Sequence, residues 1–315
     1  MPAGRGPRTR VAFLGNDAWS VPSLEALAAS DHVVALVVTA APKPAGRGNR
    51  PTPTPVAIAA RRLGLELAEV ATAREGDGFA RLEAAAPDVV AVVAYGEVLP
   101  PAVLGLPALA PVNLHFSLLP ALRGASPVQA ALREGLERTG VTTIEMDAGL
   151  DTGPILLQRE APIGPEDDAG TLGGRLASIG AGVLVETVDL LAAGELEARP
   201  QDDRLATFAP KLGPADRLLD WSRPAGELVR LCRALSPEPA AITTFRGEPL
   251  KVVRAESAVA AGEAGRIVVV ARDGIVVATG EGGLRPLVVA PAGRKRMSGA
   301  DLVNGLRPRV GERLG

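Results

Sequence analysis

Three polar residues near the middle of the chain have the side chains that acyl transfer requires. Asn113 and His115 lie two residues apart at the end of an apolar run, and Asp151 follows within Leu-Asp-Thr-Gly. An amide and an imidazole N–H can stabilise a developing oxyanion, and one such donor typically contributes ~2.7–4 kcal/mol. A carboxylate can accept the proton that an attacking amine releases and can orient the imidazole. The trio therefore predicts transfer of an acyl group to an amine without a covalent intermediate on Ser or Cys.

Each member of this trio also has a simpler interpretation. A histidine at a strand end is often structural, and we interpret the chain's other histidine, His32, as structural or exposed. Asp-Thr-Gly also occurs in aspartic proteases, in which two carboxylates share one proton. A second Asp-Thr-Gly or Asp-Ser-Gly is absent from the sequence, so the protease interpretation fails. The three residues together are more specific than any one of them.

The elements around the trio alternate between apolar β-branched runs and helical patterns. We predict buried parallel strands at Val11–Leu14, Val33–Thr39, Val89–Ala94 and Val112–Leu114. We predict helices at Val21–Ala29, Val56–Leu63 and Phe79–Ala85, the second with Thr54 as N-cap and Gly64 just past its end. This alternation predicts a Rossmann-like, doubly wound α/β sheet. Ligands bind at the carboxyl ends of such strands, where Asn113 and His115 would face one crevice.

The first predicted strand ends at Gly15, but the next residues lack the second and third glycines of a dinucleotide fingerprint. A nicotinamide cofactor is therefore not expected. The single cysteine, Cys232, excludes an internal disulfide and a thiolate metal cage, and we expect it to be buried filler. We predict no metal site.

The second half of the chain has a different pattern. Residues 170–194 predict a long helix, and the polar stretch after it predicts a linker at 196–209. A helix at Ala225–Leu235 is followed by a series of short strands, which predicts a small OB-like β-barrel. The predicted strands are Ala241–Phe245, Leu250–Ala255, Gly265–Ala271, Gly274–Ala278 and Leu284–Val289. The predicted domains are a disordered tail at 1–9, a catalytic domain at 10–195 and a C-terminal domain at 210–315.

The charges are unevenly divided between the two halves. From Pro210 onward the chain has 17 Lys and Arg against 11 Asp and Glu, whereas the first 209 residues have 17 against 25. The asymmetry indicates a polyanionic partner for the C-terminal domain, although chance clustering on a solvated surface explains the charge equally well. No run of residues reaches the ~20 apolar residues of a membrane helix, and no signal sequence is evident. We expect a cytoplasmic protein that is a monomer.

Longer motifs show a resemblance to a known family. Asn-Leu-His-Phe-Ser-Leu-Leu-Pro at 113–120 and Leu-Asp-Thr-Gly at 150–153 resemble the folate-dependent formyltransferases. Ala-Pro-Lys-Leu at 209–212, Asp-Trp-Ser at 220–222 and Pro-Ala-Gly-Arg-Lys-Arg-Met at 291–297 are similar to those members that act on methionyl-tRNA. The resemblance covers about residues 10–313.

The resemblance implies roles for particular residues. Asn113, His115 and Asp151 would be catalytic, and 10-formyltetrahydrofolate would be the co-substrate. Ser117, Leu118, Leu119, Pro120, Ala94, Tyr95 and Gly96 would lie at the folate site. The segment Pro42–Pro53, a flexible surface loop on its residues alone, would reach the tRNA acceptor end. The residues implied to contact tRNA are Arg47, Arg50, Arg294, Lys295 and Arg296.

The activity implied is formylation of the α-amine of methionine on initiator tRNA. One alternative is a small-molecule formyltransferase that uses the same trio on an amino sugar or glycinamide ribotide. Another is a tRNA-binding protein without catalysis, and the intact trio argues against it.

Overall fold

The computed structural model describes residues 8–45 and 50–315, which form two compact units. The first unit comprises the described residues up to Pro127, together with 138–162 and 173–209. The second comprises 128–137, 163–172 and 210–315. Two segments that the sequence predicts within the catalytic domain thus group with the C-terminal unit. The predicted tail at 1–9 lies mostly outside the described residues, and Thr9 is buried.

The first unit is built on a seven-stranded sheet. The strands of this sheet are β1 Arg10–Gly15, β2 Val33–Ala40, β5 Leu67–Val70, β6 Val89–Val93, β7 Ala110–His115, β8 Arg138–Glu145 and β9 Ile155–Pro162. Two further strands, β3 Lys43–Ala45 and β4 Arg50–Thr52, form a separate short pair. The sheet order is β5-β2-β1-β6-β7-β8-β9, in which the first five strands are parallel and the last two antiparallel. The doubly wound sheet predicted from the sequence is confirmed, and strands β5, β8 and β9 were not predicted.

The four helices predicted before residue 195 are all present, and two further short helices, which begin at Pro101 and Pro127, were not predicted. They are α1 Val21–Ala29, α2 Pro55–Leu63, α3 Gly76–Ala84, α4 Pro101–Leu104, α5 Pro127–Glu134 and α6 Ala169–Ala193. At the start of α2 the Thr54 hydroxyl accepts a hydrogen bond from the Ala57 N–H, and Gly64 ends the helix in the left-handed conformation at φ 66°. Both caps were predicted, because a Thr before Pro and a Gly after the last turn are specific helix signals.

Helix α6 supports the strand that carries the trio. By length and composition it could cross a membrane, but Leu176, Leu184 and Val188 are fully buried on one of its faces. A Cβ on Gly180 would lie 2.7 Å from Leu114 Cδ2, so the helix backbone contacts β7 closely. This is the pattern of a core helix.

The second unit contains an antiparallel sheet in the order β10-β11-β14-β13-β12, with β15 paired to β14. Its helices and strands after residue 209 are α7 Ala225–Leu235, β10 Ala241–Phe245, β11 Glu248–Ala258, β12 Ile267–Ala271, β13 Gly274–Ala278, β14 Gly283–Pro291, β15 Met297–Ser298 and α8 Gly299–Leu306. Every predicted strand of this unit is present. Cys232 on α7 is fully buried in the core, and burial raises the pKa of its thiol to about 12.

Candidate active site

The end of strand β7 brings Asn113 and His115 to one face of the sheet. The strand is parallel to β6 and antiparallel to β8, with His115 opposite Thr142. Because side chains alternate along a strand, Leu114 points to the other face, where it packs against α6 at Gly180. Leu114 therefore anchors the strand against α6, and the Asn113 and His115 side chains lie on the opposite face of the sheet.

His115 is oriented by a backbone carbonyl. Its Nε2 lies 2.9 Å from the Leu122 carbonyl oxygen, which can only accept, so Nε2 carries the proton and donates it. The other ring nitrogen, Nδ1, lies 3.6 Å from Asp151 Oδ2, which is longer than a hydrogen bond. The sequence predicts that Asp151 orients the ring, whereas the contact that holds the ring is made by Leu122. Nδ1 is consequently the nitrogen that is available to a substrate.

Asp151 lies in the connection between β8 and β9. Its backbone is left-handed at φ 56°, a conformation that is uncommon for a residue other than glycine. Its Oδ2 accepts a hydrogen bond of 2.8 Å from the Gly124 N–H, and its Oδ1 lies 3.4 Å from Asn113 Nδ2. The carboxylate side chain is only 12% exposed. The structure thus places all three predicted catalytic residues together, with Gly124 as a fourth participant.

The residues predicted at the folate site lie at the same edge of the sheet but differ in exposure. Ala94 and Gly96 follow β6 and are exposed, whereas the Tyr95 side chain is buried in the core of the first unit. In the loop after β7 the Ser117 hydroxyl donates to the Ala121 carbonyl at 2.6 Å. The other predicted folate-site residues in this loop are Leu118 and Pro120, which are half-buried, and Leu119, which is buried.

The residues predicted to contact tRNA lie in both units. Arg47 lies outside the described residues, and Arg50 is exposed on β4, whose pairing with β3 orders part of the predicted loop. In the second unit Arg294, Lys295 and Arg296 are exposed beside β15. Arg296 donates to Glu238 at 2.7 Å and to the Pro237 carbonyl at 2.8 Å, so part of its hydrogen-bonding capacity is already used.

Two groups of residues at the site were not predicted. Asn16, at the end of β1, accepts from the Thr39 hydroxyl at 2.9 Å and from the Ala40 N–H at 2.8 Å, and it donates to the Tyr95 carbonyl. It therefore ties together three strand ends. The second group lies in residues 199–209, which the sequence predicts as a linker. In the structure this segment hydrogen-bonds to the loops that carry Leu122 and Asp151. Among the described residues no group of His, Cys, Asp and Glu is arranged to hold a metal ion.

The fold and the site define the class of protein. Residues 9–188 match the family model described as formyl transferase, and residues 211–307 match the model described as formyl transferase, C-terminal domain. These matches cover most of the chain. The chain is therefore a formyl transferase, as its motifs predicted.

Similarity to individual proteins shows to which group of formyl transferases the chain belongs. The chain is 43% identical over 306 residues to the methionyl-tRNA formyltransferase of Solibacter usitatus (strain Ellin6076), covering 97% of this chain and 98% of that protein. It is 44% identical over 310 residues to the methionyl-tRNA formyltransferase of Roseiflexus sp. (strain RS-1), covering 97% and 95%. The chain belongs to the methionyl-tRNA formyltransferase family. Among solved structures, HypX from Aquifex aeolicus has the same fold, with a TM-score of 0.68 at 16% identity over 97% of this chain and 50% of that one.

Proposed function

We propose that this enzyme transfers the formyl group of 10-formyltetrahydrofolate to the α-amine of methionine on initiator tRNA, using Asn113, His115 and Asp151. The observation that supports these roles is the convergence of an amide, an imidazole and a carboxylate at the carboxyl end of β7. The family to which the chain belongs supports the choice of substrates.

Stabilisation of the oxyanion is the first requirement of this reaction. When the amine attacks the formyl carbon, negative charge forms on the formyl oxygen, and fixed N–H donors stabilise it. Asn113 can supply one donor from its amide. His115 can supply a second only from Nδ1, because its Nε2–H is already donated to the Leu122 carbonyl. The donor form of His115 in this step is therefore the doubly protonated ring.

The proton balance is the second requirement. The neutral amine loses one proton as the new C–N bond forms, and the N10 leaving group gains one proton as its bond to carbon breaks. Asp151 accepts the first proton, directly or through a water molecule, because its carboxylate is held within the site by Gly124. His115 can give the proton on Nδ1 to N10 and regain one from Asp151, whose Oδ2 lies 3.6 Å from Nδ1, through a water molecule or a small movement of either side chain. No net proton is released or consumed by the enzyme.

The acceptor is inferred from features outside the trio. The C-terminal unit is rich in arginine, and the catalytic unit has the exposed Arg50. Phosphate contacts by such residues position a nucleic acid without reading its bases. A cytoplasmic location and a monomeric state remain our predictions. A small-molecule formyltransferase remains the alternative, since WlaRD, a sugar 3N-formyl transferase, has a similar fold.

The experiment compares formyl acceptors and then replaces residues of the trio one at a time. We expect formylation of methionyl-tRNA with 10-formyltetrahydrofolate, and little with an amino-sugar nucleotide or glycinamide ribotide. His115→Ala and Asp151→Asn should each lower kcat by about 10²–10³ or more with the fold intact by circular dichroism. The matched controls are His32→Ala, because His32 pairs with Asp189 outside the trio, and Asp202→Asn, because Asp202 pairs with Arg204. Absence of turnover on charged tRNA would refute the substrate, and near-normal turnover of either trio variant would refute its role.

A further inference from the structure

Residues 199–209, which we call the strap, contact both loops that carry the catalytic groups. We infer that Gln201 and Thr207 of the strap are positioning residues: Gln201 holds the backbone of Asp151, and Thr207 holds Leu122, whose carbonyl orients His115. The inference rests on the catalytic roles proposed above. It goes beyond them by assigning a function to a polar segment that the sequence predicts as a linker.

Gln201 hydrogen-bonds to the backbone of the loop that contains Asp151. Its Nε2 group donates to the carbonyl of Asp151 at 2.8 Å and to the carbonyl of Gly153 at 2.7 Å. One amide therefore uses both of its hydrogens on a single short loop. Asp151 has a left-handed backbone, which persists only where the surroundings hold it. Gln201 supplies two of the contacts that keep the loop in this conformation.

A buried arginine determines which way the Gln201 amide points. Arg123 is 4% exposed, and its Nε and Nη2 donate to Gln201 Oε1 at 3.1 and 2.8 Å. Its Nη2 also donates to Asp203 at 2.8 Å. A guanidinium can only donate, so the oxygen of Gln201 must face it and the NH₂ group must face the loop carbonyls. The same strap thus provides both the amide and an anchor for the arginine that orients it.

Thr207 holds the loop that orients His115. Its hydroxyl accepts the Leu122 N–H at 2.8 Å, and its carbonyl accepts the Arg123 N–H at 2.8 Å. Leu122 is buried and has φ 61°, and its carbonyl accepts the His115 Nε2–H. Farther along, the Ala209 N–H donates to the Arg123 carbonyl at 2.7 Å. The strap therefore fixes both residues of the His115–Asp151 pair relative to one another.

This arrangement predicts a loss of turnover rather than of substrate binding. Neither Gln201 nor Thr207 is placed against the reacting atoms, so removing them should leave the Michaelis constants nearly unchanged. A displacement of about 1 Å in a catalytic group can lower the rate about a hundredfold. We therefore expect kcat to fall at least about tenfold, with KM for methionyl-tRNA and for 10-formyltetrahydrofolate within about threefold of the wild-type values.

Two substitutions at Gln201 separate its contacts. Gln201→Met removes all of them, whereas Gln201→Glu keeps an acceptor for Arg123 but loses both donors to the loop. Both variants should show the fall in kcat, and Gln201→Glu, which keeps an acceptor for Arg123, should lose less stability than Gln201→Met. Arg204→Ala is the matched control, because Arg204 lies on the strap and pairs locally with Asp202. Wild-type kcat in Gln201→Glu would overturn the inference, and Thr207→Val provides an independent variant should Gln201→Met fail to fold.

A double-mutant cycle distinguishes positioning from general damage. If Gln201 acts through Asp151, then Gln201→Glu should cost less than about twofold in kcat when Asp151 is already Asn. Losses that multiply would show that Gln201 acts independently of Asp151 and would overturn the inference. Full activity of Asp151→Asn alone would instead refute the proposed catalytic role. An inactive Asp151→Asn with normal Gln201 and Thr207 variants would overturn the positioning inference alone.

Discussion

Replacing Gly124 with alanine should damage both the stability and the turnover of this enzyme. Gly124 has φ 121°, a backbone conformation that L side chains rarely adopt, and its N–H donates to the Asp151 carboxylate. A Cβ at this position would lie 2.6 Å from the Ala209 carbonyl oxygen. That carbonyl cannot move freely, because it accepts the Ser126 N–H at 3.1 Å and the Ala209 N–H donates to Arg123.

The size of the effect follows from these contacts. Forcing a side chain into such a conformation costs about 1–3 kcal/mol, and each displaced hydrogen bond costs about 1 kcal/mol. The free energy of unfolding should therefore fall by about 2–4 kcal/mol, which lowers the melting temperature by about 4–16 °C for a unit of this size. The hydrogen bond to the Asp151 carboxylate is charge-assisted and contributes about 1.5–3 kcal/mol. Its loss should lower kcat about ten- to a hundredfold.

The assay pairs thermal unfolding with the rate of methionyl-tRNA formylation. The matched control is Gly182→Ala, since Gly182 is exposed on α6 and a Cβ there would meet nothing within 4 Å. That control should be neutral or stabilising by about 0.5–1 kcal/mol, because alanine is the better helix former. If Gly124→Ala melted and turned over like the wild type, the close approach of Gly124 to Ala209 could not be a feature of the working enzyme.

Two further predictions concern Tyr95 and the basic residues beside β15. Burial, with a smaller effect of the Glu97 carboxylate, raises the pKa of Tyr95 to about 12, so the folded state keeps a proton that the unfolded state loses near pH 10. The contribution of this group to the free energy of unfolding should be constant below about pH 10 and fall by about 3 kcal/mol as the pH rises to 12. Because the chain has one tyrosine, absorbance at alkaline pH reports on it alone, and titration of the native protein near pH 10 would contradict the burial. Combined Arg294→Ala and Lys295→Ala should raise KM for tRNA and reduce the slope of its salt dependence by about one for each phosphate that is no longer bound, without changing KM for the folate. Arg296→Ala should have a smaller effect because Glu238 already engages it, and equal effects on both substrates would refute the assignment.

The sequence predicts the parallel part of the sheet but not its antiparallel edge, for a physical reason. Strands β1, β2 and β6 are mainly continuous apolar runs, which are typical of strands buried on both faces, and β7 is apolar as far as Val112. Strand β8 is also buried, but Thr142 and Thr143 occupy positions where an apolar residue would have given the signal. Their hydroxyls are satisfied by the Ser117 carbonyl and by Thr187, interactions that no local pattern can show.

The candidate site is predictable to a similar degree. The types of Asn113, His115 and Asp151 and their places at strand ends indicate the chemistry, because few side chains can stabilise an oxyanion beside a base. The orientation of His115 is not predictable, since it depends on the carbonyl of Leu122 in a folded loop. Gln201 is not predictable either, because its partner Asp151 lies fifty residues earlier in the chain and the segment between shows no periodicity that would bring them together.

The strap also bears on where the catalytic unit can be cut. A chain ended after residue 195, at the end of the long helix and its turn, would retain every catalytic side chain proposed here. It would lack the Gln201 amide, which donates to the Asp151 carbonyl, and the Thr207 hydroxyl, which accepts the Leu122 N–H. A chain ended after Ala209 would keep both. A truncation or fusion that is to keep the catalytic geometry should therefore be made no earlier than the end of the polar segment that follows the last helix of the α/β fold.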